Sequence, residues 1–167
     1  MPFYTDCIII GRAMTNSNKL TLFDYNKVVE SFHSETDRAA AVLAASFTEC
    51  YLEKLLRFFM RDDSLIDKLF TGYGPLSTFS ARSDCAFAFK IIDENMHRDL
   101  KFIRKIRNHF AHHPSDTVFD ESPVKNFCLE LSTAQKGETP RIMYLIAVGL
   151  AIGGMHNIML ANKKPES

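Results

Sequence analysis

The segment from Asp93 to Pro114, DENMHRDLKFIRKIRNHFAHHP, constrains the fold more than any other stretch of this chain. At about 100° per residue, its large apolar side chains fall on one arc of a helix, and its basic and amide side chains fall on the opposite arc. The apolar arc contains Met96, Leu100, Phe102, Ile103, Ile106 and Phe110. The segment is therefore predicted to be an amphipathic helix that buries one face in a core.

Arg107 breaks this pattern, because the same winding places it on the apolar side of the helix, between Met96 and Leu100. A guanidinium keeps its charge and carries five N–H donors. Its burial therefore requires a carboxylate, a phosphate or several carbonyl oxygens nearby. His112 follows five residues later, close to the end of the helix. This misplaced arginine is the strongest indication of a functional site in the chain.

The composition indicates an ordinary globular domain. The chain has 167 residues, of which 46% are hydrophobic and 24% are charged, and this length is typical of one domain with its own core. The formal net charge at pH 7 is zero. A chain-wide surface for polyanions is therefore not expected, and any contact with nucleic acid must be local.

Cysteine spacing and hydropathy indicate the cellular compartment in which the chain is expected to fold. Cys7, Cys50, Cys85 and Cys128 show no CxxC spacing, so neither a disulfide framework nor a zinc site is expected, and free thiols fit a reducing cytoplasm. The N-terminus lacks the charged start and long apolar middle of a signal peptide. The longest apolar run, Ile142 to Met155, has about fourteen residues, fewer than the ~20 that span a bilayer. The chain is expected to be cytoplasmic, without membrane attachment.

Capping residues and helix breakers divide the chain into helical segments. Ser34 with Asp37 resembles a capping box, Gly72, Gly74 and Pro75 enforce a loop, and Thr139-Pro140 starts the last helix. The predicted helices are Leu20–Ser31, Asp37–Arg61, Ser64–Phe70, Leu76–Ile92, the motif helix, a helix from Ser122-Pro123 to about Leu131, and a last helix to about Asn162. The prediction is an all-α, single-domain bundle of about six to seven helices. Residues 1–19 form an N-terminal arm, 20–162 the helical domain and 163–167 a flexible tail.

One interpretation of the motif is cleavage of RNA without a metal. Histidine moves protons near neutral pH, and arginine supplies fixed positive charge with two aligned donors to the pentavalent phosphate. Arg107, Asn108 and His112 would be the catalytic residues, and the products would carry 2′,3′-cyclic phosphate ends. One copy provides one histidine, whereas two copies across a dimer axis provide an acid and a base.

A second interpretation is that the cationic face binds a nucleotide or nucleic acid without cleaving it. Lys101, Arg104 and Lys105 are the candidate nucleic-acid-binding residues. Three further residues are accessory candidates: His109 and His113 in the motif, and Arg82 on the predicted Leu76–Ile92 helix, which is rich in small and apolar residues. For Arg82 a structural salt bridge is the alternative role.

A third interpretation is a metal site built from His109, His112 and His113 with Asp116 or Asp120. Three close histidines at a fraying helix end rarely converge on one ion without outside ligands, so no metal and no cofactor is expected.

The fourth interpretation is structural. Arg107 pairs with a buried carboxylate, while Asn108 and His112 bond loop carbonyls. The candidate carboxylates are Glu49, Glu53 and Asp84.

Two resemblances bear on these alternatives. The sequence IRKIRNHFAHH resembles the R-x4-6-H motif of HEPN domains, small helical proteins found in RNA-cleaving toxins and defence nucleases. Arg107, Asn108 and His112 stand at the motif positions. Over a longer span, roughly Ala39 to Asp120, the chain resembles the mannitol operon repressor family. The shared pattern is the long helix, GYGPLSTFSAR, and IRKIRNHFAHHPSDTVFDE. That family is all-helical, is named for regulating transcription, and lacks a helix-turn-helix reader.

The resemblances predict a HEPN-like, metal-independent endoribonuclease that acts as a toxin or phage-defence effector. The alternative is a non-catalytic transcriptional regulator of the mannitol-repressor type that works through a protein partner. The predicted partners are a second copy of the chain, RNA as substrate, and an antitoxin or regulatory protein. The homodimer rests on the last helix, whose apolar residues surround it nearly completely.

Overall fold

The computed structural model describes residues 32, 34–61, 63–113 and 117–163. Those residues form six α-helices and, within the same ranges, no strand. The helices are α1 (Asp37–Phe59), α2 (Ser64–Phe70), α3 (Phe79–Ala88), α4 (Glu94–His112), α5 (Val124–Leu129) and α6 (Pro140–Ala161). The predicted all-α bundle is confirmed. The predicted arm at 1–19 and the helix at Leu20–Ser31 lie outside the described residues, and the division of the chain into arm, domain and tail stays a prediction.

The central pair of the bundle is α1 and α6. Four alanines in the first half of α1 are fully buried: Ala40, Ala41, Ala44 and Ala45. Their small side chains allow α6 to approach closely, and α6 packs more extensively on α1 than on any other described helix. The Tyr144 hydroxyl of α6 donates a hydrogen bond of 2.7 Å to the Ala41 carbonyl. The predicted cap at Ser34 is wrong, because Thr36 caps α1 by accepting from the Ala39 amide at 3.3 Å.

Helix α6 owes its apolar composition to its position. By length and composition alone it could cross a membrane, but 56% of its most apolar window is buried inside the bundle. It packs on α1, α4 and α5. The end of the flexible Met96 side chain of α4 lies against Gly154, in the space that a Cβ atom would occupy. An almost fully apolar helix is what such a central position requires.

Helix α4 buries the face that its periodicity predicted. Leu100, Ile103, Ile106 and Phe110 are fully buried, and Asp93 caps the helix by accepting from the Met96 amide at 2.8 Å. α4 packs against α1, α3, α5 and α6, so it has four neighbouring helices. Asp99 is also buried, and its carboxylate accepts hydrogen bonds from the amide and hydroxyl of Ser132, which fixes the loop after α5.

The turn between α2 and α3 positions the start of α3. Gly72 has a φ of +59°, and a Cβ at Gly74 would collide with the carbonyl oxygens of Lys68 and Leu69. The predicted start of this helix at Leu76 is wrong, because the Leu76 amide donates to the Leu69 carbonyl at 2.8 Å and so belongs to the turn. Thr78 caps α3 instead, accepting from the Ala81 amide at 3.2 Å.

The cysteines among the described residues are of two kinds. Cys85 and Cys128 are free thiols, and burial, followed by the Asp120 carboxylate, raises the pKa of Cys128 to about 12. Cys50 is disulfide-bonded, so the expectation of free thiols is wrong at this position.

Two buried tyrosines test how much the α1–α6 hydrogen bond stabilises the fold. The Tyr144 hydroxyl bonds the Ala41 carbonyl, whereas the Tyr51 hydroxyl is buried without a hydrogen-bond partner among the described residues. We expect Tyr144→Phe to lower the free energy of unfolding by about 1 kcal/mol, and Tyr51→Phe to be neutral or slightly stabilising. Urea unfolding of both variants measures the difference. Equal effects would contradict the assigned role of the Tyr144 hydroxyl.

Candidate functional site

A cluster of arginines and glutamates, formed by Arg82, Arg107, Glu49 and Glu53, joins α1, α3 and α4. We call it the arginine–glutamate cluster. Arg82 is its buried member, with 8% of its side chain exposed. Its Nη2 lies 3.0 Å from Glu53 Oε2 and its Nη1 lies 3.6 Å from Glu49 Oε1, while its Nε donates to the Leu76 carbonyl at 2.7 Å. Burial of this guanidinium is therefore matched by two carboxylates and by backbone carbonyls.

Arg107 joins the same cluster at its edge. Its Nη2 lies 3.7 Å from Glu49 Oε2, and 31% of its side chain is exposed. One carboxylate thus faces two guanidiniums, one buried and one half-buried. Glu49 is among the carboxylates considered in the structural interpretation, and this contact explains how an arginine is accommodated on the apolar side of α4.

The cluster continues toward α2 through Arg57. Arg57 Nε lies 2.9 Å from Glu53 Oε1, and Arg57 Nη1 lies 2.8 Å from Asp67 Oδ1. The guanidinium of Arg57 also lies over the Phe70 ring, with its Cζ 4.4 Å from the ring centroid. Sequence reasoning did not single out Arg57. The available signal was its i, i+4 spacing from Glu53 on a helix.

The histidines at the end of α4 are arranged separately from this cluster. The rings of His109 and His113 stack with centroids 4.1 Å apart, and His113 Nδ1 lies 3.0 Å from the His109 carbonyl. Burial, followed by the nearby His113, lowers the pKa of His109, so its neutral form is favoured. His112 is exposed, and Asn108 is half-buried.

The histidines at the end of α4 form no metal site within the part of the chain that the structure describes. No group of three His, Cys, Asp or Glu side chains there could hold an ion. Asp116, one of the candidate ligands, lies outside the described residues.

The three candidate nucleic-acid-binding residues are divided between two places. Lys101 and Arg104 line a cleft between α3 and α4. Lys105 lies instead over two aromatic rings, with its Nζ 4.9 Å from the Phe102 centroid and 5.4 Å from the Phe127 centroid. Their assignment to nucleic acid stays a prediction.

The cleft between α3 and α4 contains residues that sequence reasoning missed. His97 Nε2 lies 2.8 Å from Asp84 Oδ1, and the His97 ring stacks on Phe87 with centroids 4.5 Å apart. Ser80 Oγ lies 3.4 Å from Asp84 Oδ2, and Ser83 also lines the cleft. The spacing of His97, Lys101 and Arg104 along one helical stripe was the available signal.

Arg82 and Arg107 differ in burial, and this difference predicts different costs of removal. Arg82→Met leaves two carboxylates without their buried partner, so we expect a loss of ~3–5 kcal/mol in the free energy of unfolding. Arg107→Met removes one longer, half-exposed contact, so we expect about 1 kcal/mol. Denaturant unfolding of the two variants compares them directly. A larger loss for Arg107→Met would contradict the geometry assigned to the cluster.

Comparison with solved structures shows a related fold. A chain in the X-ray structure of the MtlR–HPr complex from Escherichia coli superposes with a TM-score of 0.61 at 16% identity. The match covers 79% of this chain and 98% of that chain. No curated protein matches the sequence.

The interpretation as a toxin or defence ribonuclease is wrong. The family model that matches the chain, over residues 25–144, is that of the mannitol repressor, and the similar fold comes from a complex of MtlR with HPr. The short motif showed which side chains share a helix face, but it did not show that Arg107 meets Glu49. The resemblance to HEPN domains stays a hypothesis that rests on this motif. Since the family model spans well over half of the sequence, the chain belongs to the mannitol repressor family.

Proposed function

We propose that this chain is a non-catalytic regulator of transcription that acts by binding a protein partner of the HPr kind. Family membership over residues 25–144 is the observation that carries the proposal. The similarity of fold to a chain of the MtlR–HPr complex supports it. A formal net charge of zero favours a protein partner over direct binding to DNA, because DNA-binding surfaces carry an excess of positive charge.

The turn between α3 and α4 offers a surface suited to such a partner. Phe89 is 74% exposed and Phe87 is 40% exposed, so two aromatic rings face outward from one short segment. Phe87 also lines an open depression of about 720 Å³, together with Ile91 and Met96 among others. Exposed aromatic side chains beside a depression are the features that dominate binding energy in protein interfaces. We infer that the partner covers this surface.

Binding to HPr tests the proposal directly. We expect the purified chain to form a saturable complex with Escherichia coli HPr in isothermal titration calorimetry. Phe89→Ala should weaken the complex at least about tenfold, because truncation removes an aromatic anchor. The matched control is Tyr73→Ala, since Tyr73 is fully exposed in the α2–α3 turn and should leave the affinity unchanged.

Two outcomes would contradict these proposals. Absence of binding by the wild-type chain at ~100 µM of each protein, where even a weak interface would be partly occupied, contradicts an HPr-type partner. Equal weakening by Phe89→Ala and Tyr73→Ala contradicts the assignment of the surface.

We further propose that the chain forms a homodimer through the outer face of α6. Ile146, Leu150 and Leu160 on this helix are 39%, 59% and 46% exposed. At about 100° per residue these positions fall within one narrow stripe of the helix. The one arginine of this helix, Arg141, is paired with Asp37 and lies outside the stripe. An exposed apolar stripe is self-complementary, and a two-fold axis would pair it with its own copy.

Sedimentation equilibrium tests the dimer. We expect the wild-type chain to be dimeric at micromolar concentration and Leu150→Glu to be monomeric, because the new carboxylate would be buried without a partner. Leu129→Glu is the matched control: Leu129 on α5 is 53% exposed, and its substitution should leave the dimer intact. A monomeric wild-type chain would overturn the proposal.

A further inference from the structure

The polar cleft between α3 and α4 has no role in the partner binding or dimerisation proposed above. Six polar side chains line it: Ser80, Ser83, Asp84, His97, Lys101 and Arg104. The residues of α4 are spaced i, i+4 and i+7, so they project from one stripe toward the seam with α3. Two cationic side chains from one helix thus face two hydroxyls from the other.

Ser83 is the residue that points to a ligand. It is 4% exposed, and its hydroxyl has no hydrogen-bond partner among the described residues. Two other helical hydroxyls bond the carbonyl one turn earlier: Ser46 donates to Val42 and Thr48 donates to Ala44, both at 2.8 Å. Ser83 does not make this bond. A buried hydroxyl without a partner is costly, so a group that accepts its hydrogen bond would be stabilised in the cleft.

The charges of the cleft favour an anion. Lys101 and Arg104 contribute two positive charges, and Asp84 contributes one negative charge. The Asp84 carboxylate is already engaged by His97 at 2.8 Å and by Ser80 at 3.4 Å, and it is 66% exposed, so water screens it. The lysine, arginine and aspartate of the cleft therefore sum to a net positive charge, and the cleft offers lysine, arginine and hydroxyl donors that are not all committed to the carboxylate.

The hydrogen-bond donors and the volume of the cleft limit which anions it can bind. A guanidinium, an ammonium and a buried hydroxyl together provide more donors than the two oxygens of a carboxylate use, and they suit the several oxygens of a phosphate. The cleft volume is about 220 Å³, below the range of roughly 300–1,000 Å³ that holds drug-sized ligands. This space suits a phosphate group with at most a short organic body.

We propose that the cleft between α3 and α4 binds phosphate, either as the inorganic ion or as the phosphate group of a small phosphomonoester. Arg104 and Lys101 bind the negative charge of the phosphate. The Ser83 hydroxyl, which otherwise lacks a partner, donates a hydrogen bond to a phosphate oxygen. The proposal does not depend on the partner protein, because the site is formed by one copy of the chain.

Titration by NMR tests the site. The full chain, in a phosphate-free buffer at constant ionic strength, is titrated with sodium phosphate and, separately, with glycerol 3-phosphate. We expect saturable shifts of backbone amide signals centred on Ser80, Ser83, Lys101 and Arg104. Tighter binding of glycerol 3-phosphate would identify a phosphomonoester as the ligand, and equal binding would identify the free ion.

Three variants separate a built site from general attraction by positive charge. Ser83→Ala and Arg104→Gln should each weaken binding about tenfold or more, because each removes a donor to a charged acceptor. Lys105→Gln is the matched control, since it removes the same charge from the same helix at a residue that does not line the cleft. It should leave binding unchanged.

The outcomes that overturn the proposal are distinct from failure of the HPr complex. They are an absence of saturable shifts with both probes, shifts centred away from the cleft, or equal weakening by Lys105→Gln and Arg104→Gln. A circular dichroism spectrum checks that each variant is folded. If Ser83→Ala does not fold, Arg104→Gln still decides the question, because Arg104 lies outside the core.

Discussion

Burial of the Arg82 guanidinium against Glu49 and Glu53 is the constraint on which much of this structure depends. The guanidinium cannot lose its proton, so its position in the interior is tolerated only while both carboxylates of α1 face it. This requirement fixes α3 against α1 in one register. The carbonyls of Leu76 and Phe70, which also accept from Arg82, fix the α2–α3 turn to the same point. A single buried charge therefore orients three helices.

The same constraint explains the arginine of the motif helix. Glu49 already faces Arg82, and its second oxygen lies 3.7 Å from Arg107. The arginine that seemed poised for chemistry is thus held at the edge of a structural cluster, while His112 is exposed at the end of the helix. A metal-independent nuclease needs both groups at one phosphate. The roles that the motif suggested for Arg107, Asn108 and His112 therefore rest on the sequence alone.

Sequence periodicity alone determined most of the fold. The capping residues Asp93 and Thr139, the apolar arc of α4 and the apolar composition of α6 each depend on neighbours within a few residues along the chain. Local rules therefore predicted six of the helices, with errors mainly at their ends. The start of α3 was misplaced because the Leu76 amide donates to the Leu69 carbonyl, a contact between the two sides of a turn.

The candidate site was only partly readable in the sequence. A pattern shows that His97, Lys101 and Arg104 share a stripe of one helix, and that Arg107 lies on the apolar side. Only the tertiary structure decided that the stripe faces the buried Ser83 of another helix, and that Arg107 meets a glutamate of α1. The physical reason is that helix geometry fixes directions within a segment, whereas the partner of a charged or polar side chain depends on how distant segments pack.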